Sequence, residues 1–499
     1  MKTAAGIHAV IAVDRAAERP LYRQIYDGYR DAIVERRLRA GQRLPSTRAL
    51  AGELGISRIP VLNAFEQLLA EGYFESRVGA GTFVARALPD EPPAAAGRAR
   101  ERGPASRPGA RIVSRLVLPK EPEPWLGGSG PFRVSQPALD ELPFRIWSSL
   151  LARHARDHRH KVLSYGDPMG YRPFREVIAS YLRAARAVRC EADQILVVSG
   201  SQQALALTAR VLLDPGSRVW VEEPGYAGAR DALVLAGARL VPVPVDGEGL
   251  DVAAGRARSR GARAAYVTPS HQYPLGVTMS AARRLQLLEW AQAAGAWIIE
   301  DDYDSEYRYE SQPIASLQGL DRDARVVYIG TLSKVLFPAL RVGYVVVPAD
   351  LVPRFAALRE AGDIFPPTLP QAVLADFIGE GHFARHLRRM RMLYRERRTA
   401  LVEALEKEAG GVLEVMGGEA GLHLVATLGK GRRDRPLSLS AARQGLWAMP
   451  LSSCYRGDPG RQGLVLGFGG TNATGLRAAV RALARVIGSG EAGKASARG

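Results

Sequence analysis

Apolar residues near the start of the chain recur at helical spacing in three stretches. Residues 20–37 and 47–54 predict the first two helices, and a third helix begins after Ser57. The third stretch carries an apolar stripe formed by Val61, Leu62, Phe65, Leu68 and Leu69. Ser46 and Ser57 stand where the second and third helices begin, and serine is favoured there as an N-cap.

Two short strand-like stretches follow the third helix. Residues 73–77 and 82–85 flank Val78-Gly79-Ala80-Gly81, whose glycines suit a tight hairpin turn. Two helices joined by a short turn and followed by a hairpin are typical of a winged helix-turn-helix, which places its second helix in the major groove of DNA. A small helical module that binds protein is the alternative.

From residue 132 onward, continuous apolar runs alternate with amphipathic helical stretches. The runs lie at residues 195–198, 218–221, 265–267, 297–299, 326–329 and 343–347. This alternation predicts an α/β domain whose mostly parallel sheet is covered on both faces. Between the two parts, residues 87–130 are rich in Pro, Ala, Gly and Arg, and they predict a flexible, exposed linker.

Charge and composition add a candidate partner. The formal net charge of +17 suits a polyanion such as nucleic acid, although an arginine-rich proteome would also raise it. Two cysteines cannot build a disulfide framework, and the sequence contains no Cys/His cluster that indicates a metal. We find no signal peptide and no apolar stretch of membrane-spanning length, so we expect a cytoplasmic protein without a membrane partner.

The candidate chemistry of the second part centres on Lys334, at the end of Gly330-Thr331-Leu332-Ser333-Lys334. A lysine amine condenses with an aldehyde to form a Schiff base, which an arginine does not do. For one lysine alone, a surface loop position is the better explanation. The acidic stretch Glu300-Asp301-Asp302-Tyr303-Asp304 changes that balance, because a pyridoxal ring needs a buried carboxylate to keep its nitrogen protonated. A solvated acidic loop or a metal site is the alternative for these acids.

Three further residues suit a phosphorylated ring. Gly200 joins a strand to a helix, where free backbone amides can bind a phosphate. Arg341 offers two parallel hydrogen bonds to a phosphate, and Tyr226 offers an aromatic face for stacking.

Residues 20–85 resemble the GntR family of bacterial regulators through the motifs LPSTRALA, GISR and EGYFESRVGAGTFV. The resemblance implies that DNA is approached by Ser46, Arg48, Ser57, Arg58, Arg77 and Gly79. Family members usually have Asn-Thr-Val where this chain has Ile59-Pro60-Val61. Proline is tolerated in the first turn of a helix, but the loss of a polar pair puts the DNA sequence preference in doubt.

Residues 131–487 resemble the aminotransferase-like domain of fold type I pyridoxal-phosphate proteins. The resemblance rests on the ordered motifs SYGDPMGYRPFREVIASYL, SGSQQAL, EEPGYAGAR, TPSHQYPLG, IIEDDYDSEYRY and GTLSKVLFPALRVGY. It implies that Lys334 is the catalytic residue, which holds pyridoxal 5'-phosphate as a Schiff base, and that Asp301 pairs with the ring nitrogen. It also places Tyr303 near the phenolic oxygen of the cofactor and Tyr226 against the ring. The implied phosphate site consists of Ser201, Gln202, Thr331, Ser333 and Arg341.

Two departures from that family pattern concern the ligand. Tyr273 stands where aminotransferases usually place an asparagine that supports the cofactor oxygen. The arginine that commonly clamps the substrate carboxylate is absent from residues 463–468, and Arg456 or Arg461 is the candidate substitute.

The two parts together resemble the MocR/GabR subfamily of GntR regulators. This resemblance implies a head-to-tail homodimer that binds an operator in double-stranded DNA and senses an amine, an amino acid or pyridoxal phosphate itself. The predicted bounds are a DNA-binding domain at 1–86, the linker at 87–130, the cofactor domain at 131–490 and a disordered tail at 491–499. A working aminotransferase that carries a DNA-binding domain is the alternative function, and a slow half-reaction is compatible with either. Lys334, Asp301 and Arg341 argue against a third hypothesis, a cofactor-free scaffold.

Overall fold

A computed structural model describes residues 11–77, 79–86, 123–156, 162–309, 314–429 and 431–495, with side chains up to residue 488. The chain divides into two compact units, residues 1–108 and 109–499. None of the helices in the described ranges is long and apolar enough to cross a bilayer.

The first unit contains three helices and a hairpin, as the apolar pattern predicts. Its elements are α1 (Leu21–Val34), α2 (Thr47–Glu53), α3 (Arg58–Ala70), β1 (Phe74–Arg77) and β2 (Gly81–Val84). Tyr29, Phe65 and Phe74 pack edge to face in the core, with ring centroids 5.0–5.5 Å apart. The predicted stripe on α3 is confirmed, because Val61 and Leu68 are fully buried in this core.

The second unit is an α/β domain with a smaller antiparallel sheet. The helices described in it are α4 (Pro124–Gly127), α5 (Phe144–Ala155), α6 (Arg172–Arg186), α7 (Ser201–Leu212), α8 (Ala227–Leu235), α9 (Val252–Arg258), α10 (Ala281–Ala294), α11 (Leu317–Leu320), α12 (Val352–Asp363), α13 (Thr368–Gly379), α14 (His382–Ala409), α15 (Asp434–Ala442) and α16 (Ala473–Ala495). Short 3-10 turns lie at Leu139–Glu141, Ala192–Gln194, Pro338–Leu340, Ala349–Leu351 and Leu451–Cys454.

Eight strands form the main sheet. They are β3 (Ile195–Val198), β4 (Arg218–Glu223), β5 (Arg239–Asp246), β6 (Gly249–Leu250), β7 (Ala262–Val267), β8 (Trp297–Asp302), β9 (Val326–Thr331) and β10 (Gly343–Val346), in the order β3-β10-β9-β8-β7-β4-β5-β6. Strands β5, β4, β7, β8 and β9 are parallel neighbours, whereas β10 pairs antiparallel with both β9 and β3. The carboxyl ends of β3, β4, β7, β8 and β9 therefore meet at one edge, where ligands bind in open α/β sheets.

Both faces of the main sheet are covered. Ile298 and Ile299, which are neighbours on β8, are fully buried in two different apolar clusters, because successive side chains of a strand point to opposite faces. The smaller sheet is formed by β11 (Leu413–Met416), β12 (His423–Leu428), β13 (Met449–Pro450) and β14 (Gly463–Gly467), in the order β11-β12-β14-β13.

Two boundary predictions differ from the structure where it describes them. Most of the predicted linker, residues 87–122, lies outside the described residues, but its last part folds as α4 and buries Trp125 to 2% exposure beside Met449. Helix α16 continues to Ala495, well into the predicted tail at 491–499, of which residues 496–499 lie outside the described chain. In both places tertiary packing or helix continuity outweighs a polar local composition.

Candidate functional site

A cavity of about 330 Å³ opens at the carboxyl edge of the main sheet. It is lined by Trp125, Leu126, Arg133, Val134, Ser135, Ser201, Tyr226, Tyr266, Thr268, Tyr273, Asp301, Tyr303, Lys334 and Met449. Five of the residues predicted to hold the cofactor are therefore brought together, namely Ser201, Tyr226, Asp301, Tyr303 and Lys334.

Asp301 is the buried acid of this cavity. Its Oδ2 accepts a hydrogen bond of 2.9 Å from the Tyr266 hydroxyl, whereas its buried Oδ1 has no hydrogen-bond partner among the described residues. Burial raises the pKa of the Asp301 carboxyl to about 7. An unpartnered acceptor at the end of a ligand cavity fits the protonated ring nitrogen of pyridoxal phosphate.

The other acids of this stretch have partners inside the protein. Glu300 accepts hydrogen bonds of 2.8 Å from the backbone amides of Leu317 and Gln318. Asp302 pairs with the buried guanidinium of Arg186 at 2.7 Å. Glu300 and Asp302 thus point to the opposite face of β8 from Asp301. Their partners inside the protein account for these two acids, so neither a metal site nor a solvated loop is needed for them.

Lys334 lies in the turn that follows β9. Burial lowers the pKa of its ammonium group, an effect that Asp304 opposes. A lowered pKa leaves more of the amine neutral, which is the form that attacks an aldehyde.

A hydrogen-bonded chain supports Tyr303. His271 Nδ1 lies 2.9 Å from Asp304 Oδ1 and 3.0 Å from the Tyr303 hydroxyl. Because a carboxylate can only accept, the proton is assigned to Nδ1, which then also faces the Tyr303 oxygen. The Tyr303 proton is left to point into the cavity, where a phenolic oxygen can accept it. Burial raises the pKa of this phenol well above its usual value, so the proton is retained.

The predicted phosphate residues surround the start of α7. Gly200 has φ +90°, a conformation that favours glycine, and a Cβ added there would lie 3.1 Å from Arg341 Nη1, so the backbone passes close to the guanidinium. Arg341 Nη2 donates to the Ser199 carbonyl at 2.5 Å, and Ser333 Oγ is buried without a partner among the described residues. Backbone amides at a helix start, a guanidinium and an unpartnered hydroxyl form a cradle that fits a phosphate.

Some predicted phosphate residues do not line the cavity itself. Gln202, Thr331, Ser333 and Arg341 are absent from its wall. Gln202 donates to the Gly228 carbonyl at 2.6 Å and accepts from the Tyr226 hydroxyl at 3.3 Å, so its side chain positions Tyr226. Thr331 Oγ1 accepts from the Ser333 amide at 3.2 Å and shapes the turn that carries Lys334.

Several lining residues were not predicted from the sequence. Three of them, Arg133, Trp125 and Met449, come from segments far from the recognised motifs. Trp125, a tryptophan at the end of a polar linker, was the one sequence feature that could have indicated that this segment packs against the domain. Tyr273 does line the cavity, edge-on to Tyr226 with ring centroids 5.7 Å apart. The suggested substitutes for the carboxylate clamp, Arg456 and Arg461, are not among the lining residues.

The helix-turn-helix presents most of its predicted DNA contacts to solvent. Ser46 caps α2 by accepting from the Ala49 amide at 3.1 Å, which confirms the predicted N-cap. Ser57 occupies the N-cap position of α3, as predicted, but its side chain makes no capping hydrogen bond, so the predicted capping interaction is wrong. The exposed Arg58 donates to Thr47 Oγ1 at 3.1 Å, and Arg48 is exposed on α2.

The wing residues Arg77 and Gly79 differ in exposure, and Ile59, where the chain departs from the GntR pattern, lies on the surface. Arg77 is held within the wing by an ion pair with Glu75 and by the Phe83 ring, 4.7 Å from its guanidinium carbon. Gly79 is exposed with φ +75°, a conformation that favours glycine at the tip. Ile59 is 69% exposed at the start of α3, so an apolar side chain stands on the surface of the second helix of the helix-turn-helix, where family members usually have a polar one.

A winged helix-turn-helix joined to a fold type I cofactor domain defines a class of transcription regulators with an aminotransferase-like domain. Residues 21–84 match the bacterial regulatory proteins of the gntR family, and residues 139–462 match aminotransferase class I and II.

The chain is similar to named regulators over nearly its whole length. It is 41% identical to the "Probable rhizopine catabolism regulatory protein MocR" of Rhizobium meliloti, over 95% of each chain. It is 36% identical to the "HTH-type transcriptional regulator TauR" of Rhodobacter capsulatus, over 75% of this chain and 78% of the relative. The chain belongs to the MocR/GabR subfamily of GntR regulators, and it is a pyridoxal-phosphate-dependent transcriptional regulator.

The solved structures similar to this chain include aminotransferases. The α-aminoadipate aminotransferase LysN of Thermus thermophilus, complexed with N-(5'-phosphopyridoxyl)-L-leucine, superposes with a TM-score of 0.67 and 29% identity. The match covers 76% of this chain and 95% of LysN. The cofactor of the present chain is accordingly pyridoxal 5'-phosphate.

We expect Asp301→Asn to flatten the pH dependence of stability in the cofactor-free protein. The folded carboxyl has a pKa of about 7, whereas the unfolded one has a pKa of about 4. Between these values the folded chain keeps a proton that the unfolded chain releases, so raising the pH favours unfolding. Thermal melting between about pH 4.5 and 7.5 measures the slope, which disappears above the folded pKa.

Asp458→Asn, which removes an exposed carboxylate, is the control for this experiment. Glu222, Glu300 and Glu306 also have pKa values raised to about 7 by burial, so Asp301→Asn is expected to reduce the slope rather than abolish it. Equal slopes in wild type and Asp301→Asn would show that Asp301 is not the buried acid described here.

Proposed function

We propose that this regulator binds pyridoxal phosphate covalently through Lys334 and changes its operator binding when an amine, an amino acid or further pyridoxal phosphate reaches the cavity. The observation that carries the proposal is one cavity that contains both Lys334 and an unpartnered, buried Asp301 oxygen. The bound cofactor supplies an aldehyde that condenses with amines and a ring that withdraws electrons.

The residues of this chain have separate roles in the proposal. Lys334 Nζ is the attachment point, and its lowered pKa supplies the neutral amine. Asp301 Oδ1 holds the proton of the ring nitrogen, and the Tyr303 hydroxyl donates to the phenolic oxygen. Tyr226 packs on the ring. The phosphate is held by Ser201, Thr331, Ser333 and Arg341, with Gln202 positioning Tyr226.

An effector can act on DNA binding only through different affinities for two arrangements of the protein. We propose that the protein is a head-to-tail homodimer whose two DNA-binding units are re-spaced when the effector binds. The DNA contacts in this proposal come from Ser46, Arg48, Ser57, Arg58, Arg77 and Gly79, with Arg48 and Arg58 the exposed cations of the helix-turn-helix.

A working aminotransferase is the second candidate function. Its support is the presence of Lys334, Asp301 and Tyr303 on one cavity. Against efficient turnover, Tyr273 replaces the usual asparagine, and strand β14 carries no arginine. Release of a keto acid with conversion of the cofactor to its amine form would favour this candidate.

We expect Lys334→Ala to abolish the covalent cofactor adduct while leaving the fold intact, because the side chain lies in a turn at the cavity and not in the core. The full chain is incubated with pyridoxal phosphate, reduced with borohydride and weighed by mass spectrometry. Lys407→Ala removes an exposed lysine on α14 and should keep the adduct. A reduced adduct that persists in Lys334→Ala would refute the assignment.

We expect Arg48→Ala and Arg58→Ala each to weaken DNA binding by about tenfold and to lower the salt dependence by about one unit of slope, because each removes a phosphate or base contact. The probe is a DNA fragment selected with the wild-type protein, titrated at several salt concentrations. Arg37→Ala is the matched control, since it removes an exposed arginine outside the helix-turn-helix and the wing. Unchanged binding by both Arg48→Ala and Arg58→Ala would remove these contacts from the proposal.

A further inference from the structure

Among the residues that the structure describes, two cationic side chains line the cavity, Arg133 and Lys334. The proposed function assigns Lys334 to the cofactor, which leaves the Arg133 guanidinium for another group. Arg133 follows Phe132, which is fully buried and bridges to Gly467 of β14, so the backbone that carries Arg133 is held firmly against the smaller sheet.

Arg133 has no acidic partner among the residues that the structure describes. Its Nη1 donates to the Trp125 carbonyl, and no carboxylate forms an ion pair with it there. A guanidinium has five N–H donors and stays protonated in proteins. A partly buried cation without an anion is costly, and a ligand that brings an anion removes that cost.

Three other candidate arginines do not line the cavity, and each has contacts elsewhere. Arg230 lies 3.7 Å from Glu223, and Arg461 Nη1 lies 3.8 Å from Met416 Sδ. Arg341 lies beside Gly200 in the phosphate cradle. Within the described chain, Arg133 is therefore the cation best placed to meet an acidic group on a small ligand in this cavity.

The wall around Arg133 is mostly apolar. Trp125, Leu126, Val134 and Met449 supply hydrocarbon and aromatic surface, and Ser135 adds one hydroxyl. Such a surface suits a short carbon chain between an amine at Lys334 and an anion at Arg133.

We propose that Arg133 binds a carboxylate on the effector, so that the effector is a primary amine that also carries a carboxylate. This inference rests on the proposed function, because the amine end of the effector is placed by the cofactor at Lys334. It also moves the acid-binding position from the β14 end of the chain, where aminotransferases commonly have it, to the segment that begins the cofactor domain.

The test compares amines that differ only in the acid. The cofactor-loaded full chain is titrated with 3-aminopropanoate and 3-aminopropan-1-ol, with 4-aminobutanoate and 4-aminobutan-1-ol, and with L-alanine and L-alaninol, and the visible absorption band is followed. In at least one pair, we expect the wild type to bind the acid about tenfold or more tightly than the alcohol, as two charge-assisted hydrogen bonds allow.

Arg133→Gln separates charge from hydrogen bonding. Glutamine keeps N–H donors, but it carries no charge. We expect Arg133→Gln to abolish the preference for the acid, to leave the affinity for the amino alcohol unchanged, and to retain the cofactor band. Arg133→Lys should restore part of the preference, because it returns the charge without the planar fork.

Four outcomes overturn the inference. In the first, Arg133→Gln weakens the binding of the amino acid and of the amino alcohol equally, and in the second, the preference for the acid survives in Arg133→Gln. In the third, the variant loses the cofactor band. In the fourth, the wild type does not bind the acids more tightly than the alcohols. A wild type whose band responds to no amine of either kind refutes amine and amino-acid sensing as well, and leaves pyridoxal phosphate as the one effector of the proposed function. A wild type that responds equally to acid and alcohol refutes the inference alone.

Discussion

The carboxyl group of Asp301 is enclosed by the sheet, yet it receives one hydrogen bond from the described protein, that of the Tyr266 hydroxyl. An ionised carboxylate in such a place is costly unless a cation or several donors face it. The protein places Lys334 and the Tyr303 hydroxyl on the same cavity, but neither fills the open position at Oδ1. In the proposed function, the protonated ring nitrogen of the cofactor takes this open position, so cofactor binding and the ionisation of Asp301 would be linked.

The strand β8 makes this arrangement possible by separating acids that are adjacent in sequence. Glu300 and Asp302 point to one face, where backbone amides and Arg186 satisfy them, and Asp301 points to the other. Four acids at one strand end would repel each other if they shared a face. Because side chains alternate along a strand, Glu300 and Asp302 stabilise the fold on one side, and Asp301 lines the cavity on the other.

Much of the fold and of the site could be predicted from the sequence because its signals are local. The apolar stripe of α3, the cap at Ser46, and the residues Lys334 and Asp301 each follow from neighbouring residues or one ordered motif. Trp125 and Arg133 could not be predicted, because their place on the cavity depends on a segment of polar composition folding against β14 and Met449. Ser57 does not cap its helix, and the Gln202 side chain bonds to Tyr226 and does not line the cavity. Both outcomes depend on side-chain rotamers, which the spacing of residues along the sequence does not determine.

The position of Arg133 bears on how ligand binding in the cofactor unit is coupled to DNA binding. Its guanidinium holds the carbonyl of Trp125, and Trp125 belongs to α4, the first described helix after residues 87–122, which join the cofactor unit to the DNA-binding unit along the chain. Because Nη1 donates to the Trp125 carbonyl, an anion at Arg133 would be met by the remaining donors of the guanidinium, directly beside α4. If Arg133 binds the acid of the effector as proposed, the same side chain both meets the ligand and holds α4, the helix that follows residues 87–122 in sequence.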